Sequence, residues 1–348
     1  MNLEPKIDWY RTPLDRDTLR QLTQKSDLQG WRQAGSFLLV YLMLGGVAWY
    51  FFSFRAWVPM VVACYLFSVF THFLSMAAAA HELSHGTVFK TRALNEFFYN
   101  LFCFLTWNNP VHFRASHNYH HQLTVHRGQD KEVIMVPVAQ LMNWKNYLKW
   151  FTFDPAAMFH FISRCVLLAL GKGDTDYFYW DPLFDKEDPR RTRMIRFARL
   201  TLLGHLGIMA LFIYLQAWVL IYLVNFGVFF GTFLGKFCGI IQHRGLAPNQ
   251  PDWRLSCHSV KLGPLLRYLY WNMNYHTEHH MYAAVPFYNT PALHEALKHD
   301  LPAQHQGLLA TLRLIVDVKK KQIQDPMYYY QPEFPPGAAE PRRVTSPR

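Results

Sequence analysis

The sequence has few charged residues and few cysteines, and both shortages exclude classes of protein. Asp, Glu, Lys and Arg together make up 17% of the 348 residues, below the roughly 25% of a typical soluble domain. Apolar residues make up 51%, which excludes intrinsic disorder for most of the chain. The five cysteines form no CxxC pair, so a small disulfide scaffold is also excluded and a reducing compartment is favoured.

What the chain has instead is long apolar runs. Residues 36–78 contain two runs separated only by Arg55, each near the roughly 20 residues that cross a bilayer. Residues 200–242 contain Lys236 as their only Lys or Arg and are long enough for two more spans. The sequence therefore predicts two transmembrane hairpins, and the alternative is a soluble helical protein with long core helices. The predicted spans are residues 36–54, 56–78, 200–217 and 219–241.

Positive charge is distributed unevenly around these runs. Lys and Arg number 6 in residues 1–35, 15 in 79–199 and 12 in 243–348, whereas the two hairpin turns carry only Arg55. Because positive loops stay on the cytoplasmic side, both termini and all large polar segments are predicted to be cytoplasmic. No cleavable signal peptide is recognisable at the N-terminus.

These features predict an all-α integral membrane protein with a single domain. Four transmembrane helices in two hairpins carry a cytosolic helical cap, which would hold a histidine-rich site for two metal ions. The predicted segments are a cytosolic N-terminal segment (1–35), hairpin 1 (36–78), a first part of the cap (79–199), hairpin 2 (200–242), a second part of the cap (243–324) and a disordered tail (325–348).

Histidine is the residue in excess. Eight of the 18 histidines fall into three clusters with the patterns HxxxH, HxxHH and HxxHH. On a helix, residues three and four apart share one face, so each pattern presents two or three imidazoles towards one point. The clustered histidines are His81 and His85, then His117, His120 and His121, then His276, His279 and His280.

Eight imidazoles exceed the three or four protein ligands of one zinc ion. They fit two octahedral metal ions with four or five nitrogens each, and imidazole suits iron. Two irons could bind O2, take up two electrons and remove hydrogen from an unactivated C–H bond, which no side chain can do alone. His243 lies where the fourth span would return to the cytosol, and we include it as a ninth predicted ligand.

Nearby carboxylates and amides are expected to orient the imidazole rings through hydrogen bonds. For each candidate the alternative is an ordinary capping or ion-pair residue. His72 and His205 fall inside predicted spans and are interpreted as buried hydrogen-bonding groups rather than ligands. The orienting candidates are Glu82, Asn118, Asp130, Asn272, Asn274 and Glu278.

The three clusters resemble the histidine boxes of the membrane fatty acid desaturase and hydroxylase superfamily. The resemblance covers roughly residues 36–300, and the region from Asn274 to Glu295 looks like bacterial members. It implies two non-haem irons held by the nine histidines above, O2 as co-substrate, and a bacterial inner-membrane location. The chain lacks the His-Pro-Gly-Gly motif of a cytochrome b5 domain and the CxxC pairs of a rubredoxin. A separate ferredoxin, rubredoxin or cytochrome b5 with its reductase is therefore expected to supply electrons.

The sequence is compatible with several functions. A fatty acyl desaturase, forming a C=C bond by two hydrogen abstractions, is the first prediction. A hydroxylase acting on an acyl chain or on a small non-lipid molecule is the alternative, and a non-enzymatic membrane metal carrier is a more distant one. Membrane lipid is the expected surrounding, and nothing predicts a nucleic-acid partner. The arginines of residues 190–199 suit either anionic lipid headgroups or an acidic electron carrier or phosphate.

Overall fold

The computed structural model describes residues 7–133, 144–172 and 183–344, and these residues are mainly helical. The strands that it assigns there are β1 (Val260–Lys261) and β2 (His305–Gln306), which pair in parallel. The chain belongs to an all-helical class, because the pair of two-residue strands contributes little to the architecture. The first helices are α1 (Arg16–Leu22), α2 (Asp27–Ser53), α3 (Trp57–His72), α4 (Ala79–Ser84), α5 (Arg92–Leu105) and α6 (Pro110–Leu123).

The middle of the chain contains the second long apolar region. Its helices are α7 (Trp144–Phe151), α8 (Pro155–Ala169), α9 (Pro189–Tyr214), α10 (Trp218–Phe229) and α11 (Phe233–His243). The remaining helices are α12 (Trp253–Ser256), α13 (Pro264–Leu269), α14 (His276–Met281), α15 (Thr290–Leu297) and α16 (Leu308–Gln324).

Two helices of the described chain, α2 and α9, are long and apolar enough to cross a membrane. Helices α3 and α10 are apolar but shorter. Large apolar side chains such as Leu42 on α2, Val58 on α3 and Leu203 on α9 are more than half exposed. Apolar surface of this kind marks contact with lipid or with another protein.

The second and fourth predicted spans are not single helices, which corrects the expectation from the sequence. Helix α3 ends at His72, and the backbone then turns before α4 begins at Ala79. Residues 219–241 are interrupted between α10 and α11 at Gly231, which has a φ of +58°. The amide of Gly231 donates to the carbonyl of Thr152. A run of apolar residues does not reveal such a break, because backbone hydrogen bonds from another segment stabilise it.

The C-terminal segment also differs from the prediction of a disordered tail. Residues 325–344 contact residues 252–300, where the amide of Ala339 donates to Asp300 and that of Arg342 donates to Asp252. Both carboxylates also pair with the buried Arg254. The remaining residues of the predicted tail, 345–348, lie outside the described residues.

Candidate metal centre

The structure brings all nine predicted ligands into two adjacent groups. The first group contains five histidines and the second contains four, and the candidate ligand atoms of each group lie within 4.8 Å of one another. His85 and His121 are partly exposed and the other seven are buried. The first group is His81, His85, His117, His121 and His279, and the second is His120, His243, His276 and His280.

Helical geometry explains how each HxxHH cluster serves both groups. His117 and His121 are four residues apart on α6 and enter the first group, while His120 turns to the second. In α14 the pair four residues apart, His276 and His280, enters the second group. The intervening histidine of α14 enters the first. Residues four apart lie only about 40° apart around the helix, whereas the residue just before the second of them lies about 100° from it, so one helix contributes to both groups.

The separations between ring nitrogens suit metal coordination. Nε2 of His81 lies 3.0 Å from Nε2 of His279, and Nε2 of His243 lies 2.9 Å from that of His276. The Nε2 atoms of His276 and His280 are 3.1 Å apart. For metal–nitrogen distances of about 2.1 Å, ligands at right angles are about 3.0 Å apart and tetrahedral ligands about 3.4 Å. The spacing is therefore close to that of nitrogen ligands at right angles.

Hydrogen bonds on the outer sides of the rings determine which nitrogen faces inward. Nδ1 of His117 donates to Glu132 at 2.6 Å, and Nδ1 of His120 donates to Asp130 at 2.8 Å. Nδ1 of His243 donates to the carbonyl oxygen of Ser256 at 2.8 Å. Since one nitrogen of a neutral imidazole carries the proton, the inward Nε2 atoms of these rings present lone pairs. Lone pairs converging at 3 Å repel each other unless a cation lies between them, so the residues fit two metal ions.

His280 obtains the same orientation through a hydroxyl group. Thr124 donates its hydroxyl proton to the carbonyl of His120 at 2.6 Å, so its oxygen is free to accept from Nδ1 of His280 at 3.1 Å. The residues that follow the second histidine cluster, His117 to His121, thus orient histidines of both α6 and α14.

The electrostatics of the site keep most of these imidazoles neutral. Burial, followed by the charge of neighbouring histidines, lowers the pKa of His81, His85 and His121 well below the ordinary value. Burial likewise lowers the pKa of His243 and of His279 to about 3. Neutral imidazoles are the form that binds metal ions.

The site also contains ionised carboxylates. Burial opposes the charged form of His120, but Asp130 outweighs it and raises the pKa of that ring. Although burial also opposes ionisation of Asp130 and Glu132, the facing histidines lower the pKa of both carboxyl groups. Two negative charges therefore lie beside the nine histidines, where they would offset part of the charge of two metal ions.

Of the predicted orienting carboxylates, two lie close to a histidine of the cluster and one does not. Glu82 is buried, with Oε1 3.5 Å from Nδ1 of His279, and burial raises its pKa to about 8. Asp130 accepts a hydrogen bond from Nδ1 of His120. Glu278 instead contacts His294 and the hydroxyl of Ser259, and so supports the cluster only indirectly.

The three predicted asparagines do not reach the cluster. Asn118 is exposed on α6. The amide of Asn272 donates to the carbonyl of Phe287, and the amide of Asn274 donates to that of Val260. Both therefore shape the loop before α14 rather than the rings. Sequence reasoning missed Glu132 and Thr124. The acidic pair Asp130 and Glu132, close after the second histidine cluster, could have indicated Glu132 as an orienting residue.

A cavity of about 370 Å³ adjoins the metal centre. At one end its wall includes Glu132, together with Gln242 and Arg244 on either side of His243. At the other end it reaches Lys236 and Thr232, near the start of α11. The cavity therefore connects the immediate supports of the metal centre with the interior of the predicted second hairpin.

Comparison with known proteins places these features in a family. The family model described as fatty acid desaturase matches residues 55–311, which include all nine histidines. The chain belongs to the fatty acid desaturase family, as its histidine clusters predict. Membership makes it a metal-dependent oxidoreductase in general terms and is consistent with the apolar helices of a membrane-associated protein. No curated protein matches the chain.

Proposed function

We propose that this protein is an O2-dependent di-iron oxidoreductase that acts on a C–H bond of a fatty acyl chain, and that the reaction is a desaturation. The supporting observation is the pair of histidine groups, five and four, with right-angle nitrogen spacing beside a cavity. Imidazole ligands with open positions suit iron. Bound iron would supply the O2 chemistry that removes hydrogen from carbon.

The residues of the chain hold and orient this centre. The nine histidines would ligate the ions, while Glu132, Asp130 and Thr124 accept hydrogen bonds from the Nδ1 atoms of three rings and so turn the Nε2 atoms of those rings inward. Burial of seven of the histidines keeps bulk water away from the site. The adjoining cavity would take the substrate and hold it beside the centre.

Four spans in two hairpins, with the centre on the cytoplasmic side of a bacterial inner membrane, remain our proposal for the membrane arrangement. It is supported by the apolar α2 and α9, by the shorter apolar α3 and α10, and by their exposed apolar side chains. In this arrangement the interrupted fourth span still returns the chain to the cytoplasmic side at His243. Irregular backbone at membrane depth is tolerated where it lines a cavity, and Thr232, beside the break, lines one.

Electrons would come from a separate carrier protein of the ferredoxin, rubredoxin or cytochrome b5 type. Arg193 and Arg196, on the first turns of α9, are exposed and offer a positive surface for an acidic carrier. Anionic lipid headgroups are the other partner that suits this charge.

Hydroxylation is the second candidate. It is favoured by the polar side chains at the far end of the cavity, such as Lys236 and Thr232, which suit a small functionalised molecule better than a plain acyl chain. Both reactions begin with hydrogen abstraction, so the same centre would serve either.

The test compares wild type with His279→Ala in a bacterial host by mass spectrometry of lipids and polar metabolites. A product lighter by two hydrogens, present only with wild type, is expected for the desaturase. A product heavier by one oxygen would replace desaturation by hydroxylation. Identical metabolites from wild type and variant, with an electron donor co-expressed, would contradict the proposed function.

A further inference from the structure

The far end of the cavity is polar, although it lies inside an apolar hairpin. Lys236 is the only Lys or Arg of residues 200–242, and it lines the cavity. Ionisable residues inside membrane segments are costly to bury and usually mark a functional path. A buried Lys236 therefore requires a partner for its charge.

Lys236 makes no ion pair and no hydrogen bond within residues 7–133, 144–172 and 183–344. Asp154 is the described carboxylate that acts on it electrostatically, but Asp154 already caps α8 by accepting from the amide of Ala157 at 3.0 Å. The ammonium group thus keeps donors available to a molecule in the cavity.

Other polar atoms at this end also lack partners. Within the described part of the chain, Nδ1 of His72 and the hydroxyl of Thr232 are buried without a hydrogen bond, and both residues line the cavity. His72 packs directly on α11, because a Cβ added at Gly235 would lie 2.3 Å from its ring. Two residues with unsatisfied polar atoms and one cation therefore line the same cavity.

This arrangement opposes an occupant whose apolar end points towards Lys236. Hydrocarbon against these groups would leave each of them desolvated and unpaired, which is unfavourable for the neutral groups and more so for the charged one. An anionic group would satisfy the ammonium and could accept or donate further hydrogen bonds at the same place.

Position along α11 relates this polar end to the metal centre. Lys236 and His243 are seven residues apart, which is two helical turns on nearly the same face and about 10 Å along the axis. Between them, Gly239 and Ile240 line the cavity. A molecule held at Lys236 would extend along this apolar stretch towards the supports of the centre.

We propose that the substrate is a free carboxylic acid of medium chain length, whose carboxylate is bound by Lys236 while its alkyl portion extends towards the metal centre. This proposal rests on the proposed function and names the substrate class for that site. Lys236 is a positioning and specificity residue, since it would hold the end of the substrate remote from the reacting carbon.

The test measures binding of radiolabelled decanoate to the full-length protein in lipid nanodiscs, with methyl decanoate as the uncharged competitor. We expect decanoate to bind wild type at least tenfold more tightly than Lys236→Met, because hydrogen bonds to a charged group contribute about 1.5–3 kcal/mol. Lys236→Arg should retain much of the binding. Lys149→Met, which removes an exposed lysine of α7, is the matched control and should bind as wild type does.

Equal binding to wild type and Lys236→Met, competition by methyl decanoate as strong as by decanoate, or no decanoate binding to wild type would overturn the carboxylate proposal. Iron content is measured in the same samples. Iron-loaded, oxidatively active protein with no Lys236-dependent binding refutes this inference alone. Lys236-dependent binding to protein that holds no iron and forms no product supports the carboxylate site and refutes the proposed function.

Discussion

At the residue scale, the orientation of each imidazole matters as much as its presence. Nine histidines are the predicted ligands, but the direction of each lone pair depends on what the other nitrogen of the ring contacts. His117 relies on Glu132, whereas His243 relies on a backbone carbonyl. A carboxylate and a carbonyl accept the same proton, but only the carboxylate adds negative charge that strengthens metal binding.

Replacing Glu132 tests this dependence. Glu132→Gln keeps the shape of the side chain and removes its charge, so we expect iron affinity to fall by about tenfold to a hundredfold. Equilibrium competition with a chelator measures the change. Glu96→Gln is the matched control, because Glu96 pairs with Arg114 and contacts none of the nine histidines. An unchanged affinity for Glu132→Gln would show that His117 does not need this carboxylate.

The clustering of the nine histidines could be predicted from the sequence, because the spacing within each cluster reflects helical geometry. His117 and His121 fall in the same group without any distant contact, since they lie four residues apart on α6, while His120 falls in the other group. The residues that orient the rings depend on tertiary structure instead. Thr124 follows the second histidine cluster but orients His280, which is 156 residues further along the chain. No local sequence pattern indicates that contact.

At the element scale, apolar composition predicted where helices occur but not where they are interrupted. The break between α10 and α11 depends on Gly231, whose positive φ suits glycine and whose amide bonds to Thr152. The break leaves Thr232 and Lys236 lining the cavity. Hydropathy treats the same residues as one uniform span, because it does not register backbone dihedral angles.

Substitution of Gly231 should therefore be costly. In Gly231→Ala the new Cβ would lie 2.8 Å from Cγ2 of Val69, in a left-handed backbone conformation. We expect a loss of about 1–3 kcal/mol of stability, seen as a lower midpoint of thermal unfolding in detergent. Gly46→Ala serves as the control, since a Cβ there meets nothing within 4 Å. Equal midpoints for the two variants would mean that the break does not require glycine.

At the scale of the whole molecule, segments far apart in sequence enclose one centre. The predicted ligands lie on α6, α11 and α14, on α4, and at His85 directly after α4. The N-terminal and C-terminal segments meet at Asp300, to which Thr12 and Ala339 both donate. The sequence indicated which segments would form the centre. It did not indicate that residues 325–344 pack against residues 252–300, because a segment rich in proline and polar residues is typical of disorder.

The central claim is that the chain holds two metal ions, one in each histidine group. The most direct measurement is the number of iron ions per chain, by mass spectrometry of metals, for wild type, His121→Ala and His276→Ala. We predict two ions in wild type and the loss of one ion in each variant, since each substitution removes a ligand from a different group. A single ion in wild type, or a tetrahedral zinc in place of iron, would contradict the account.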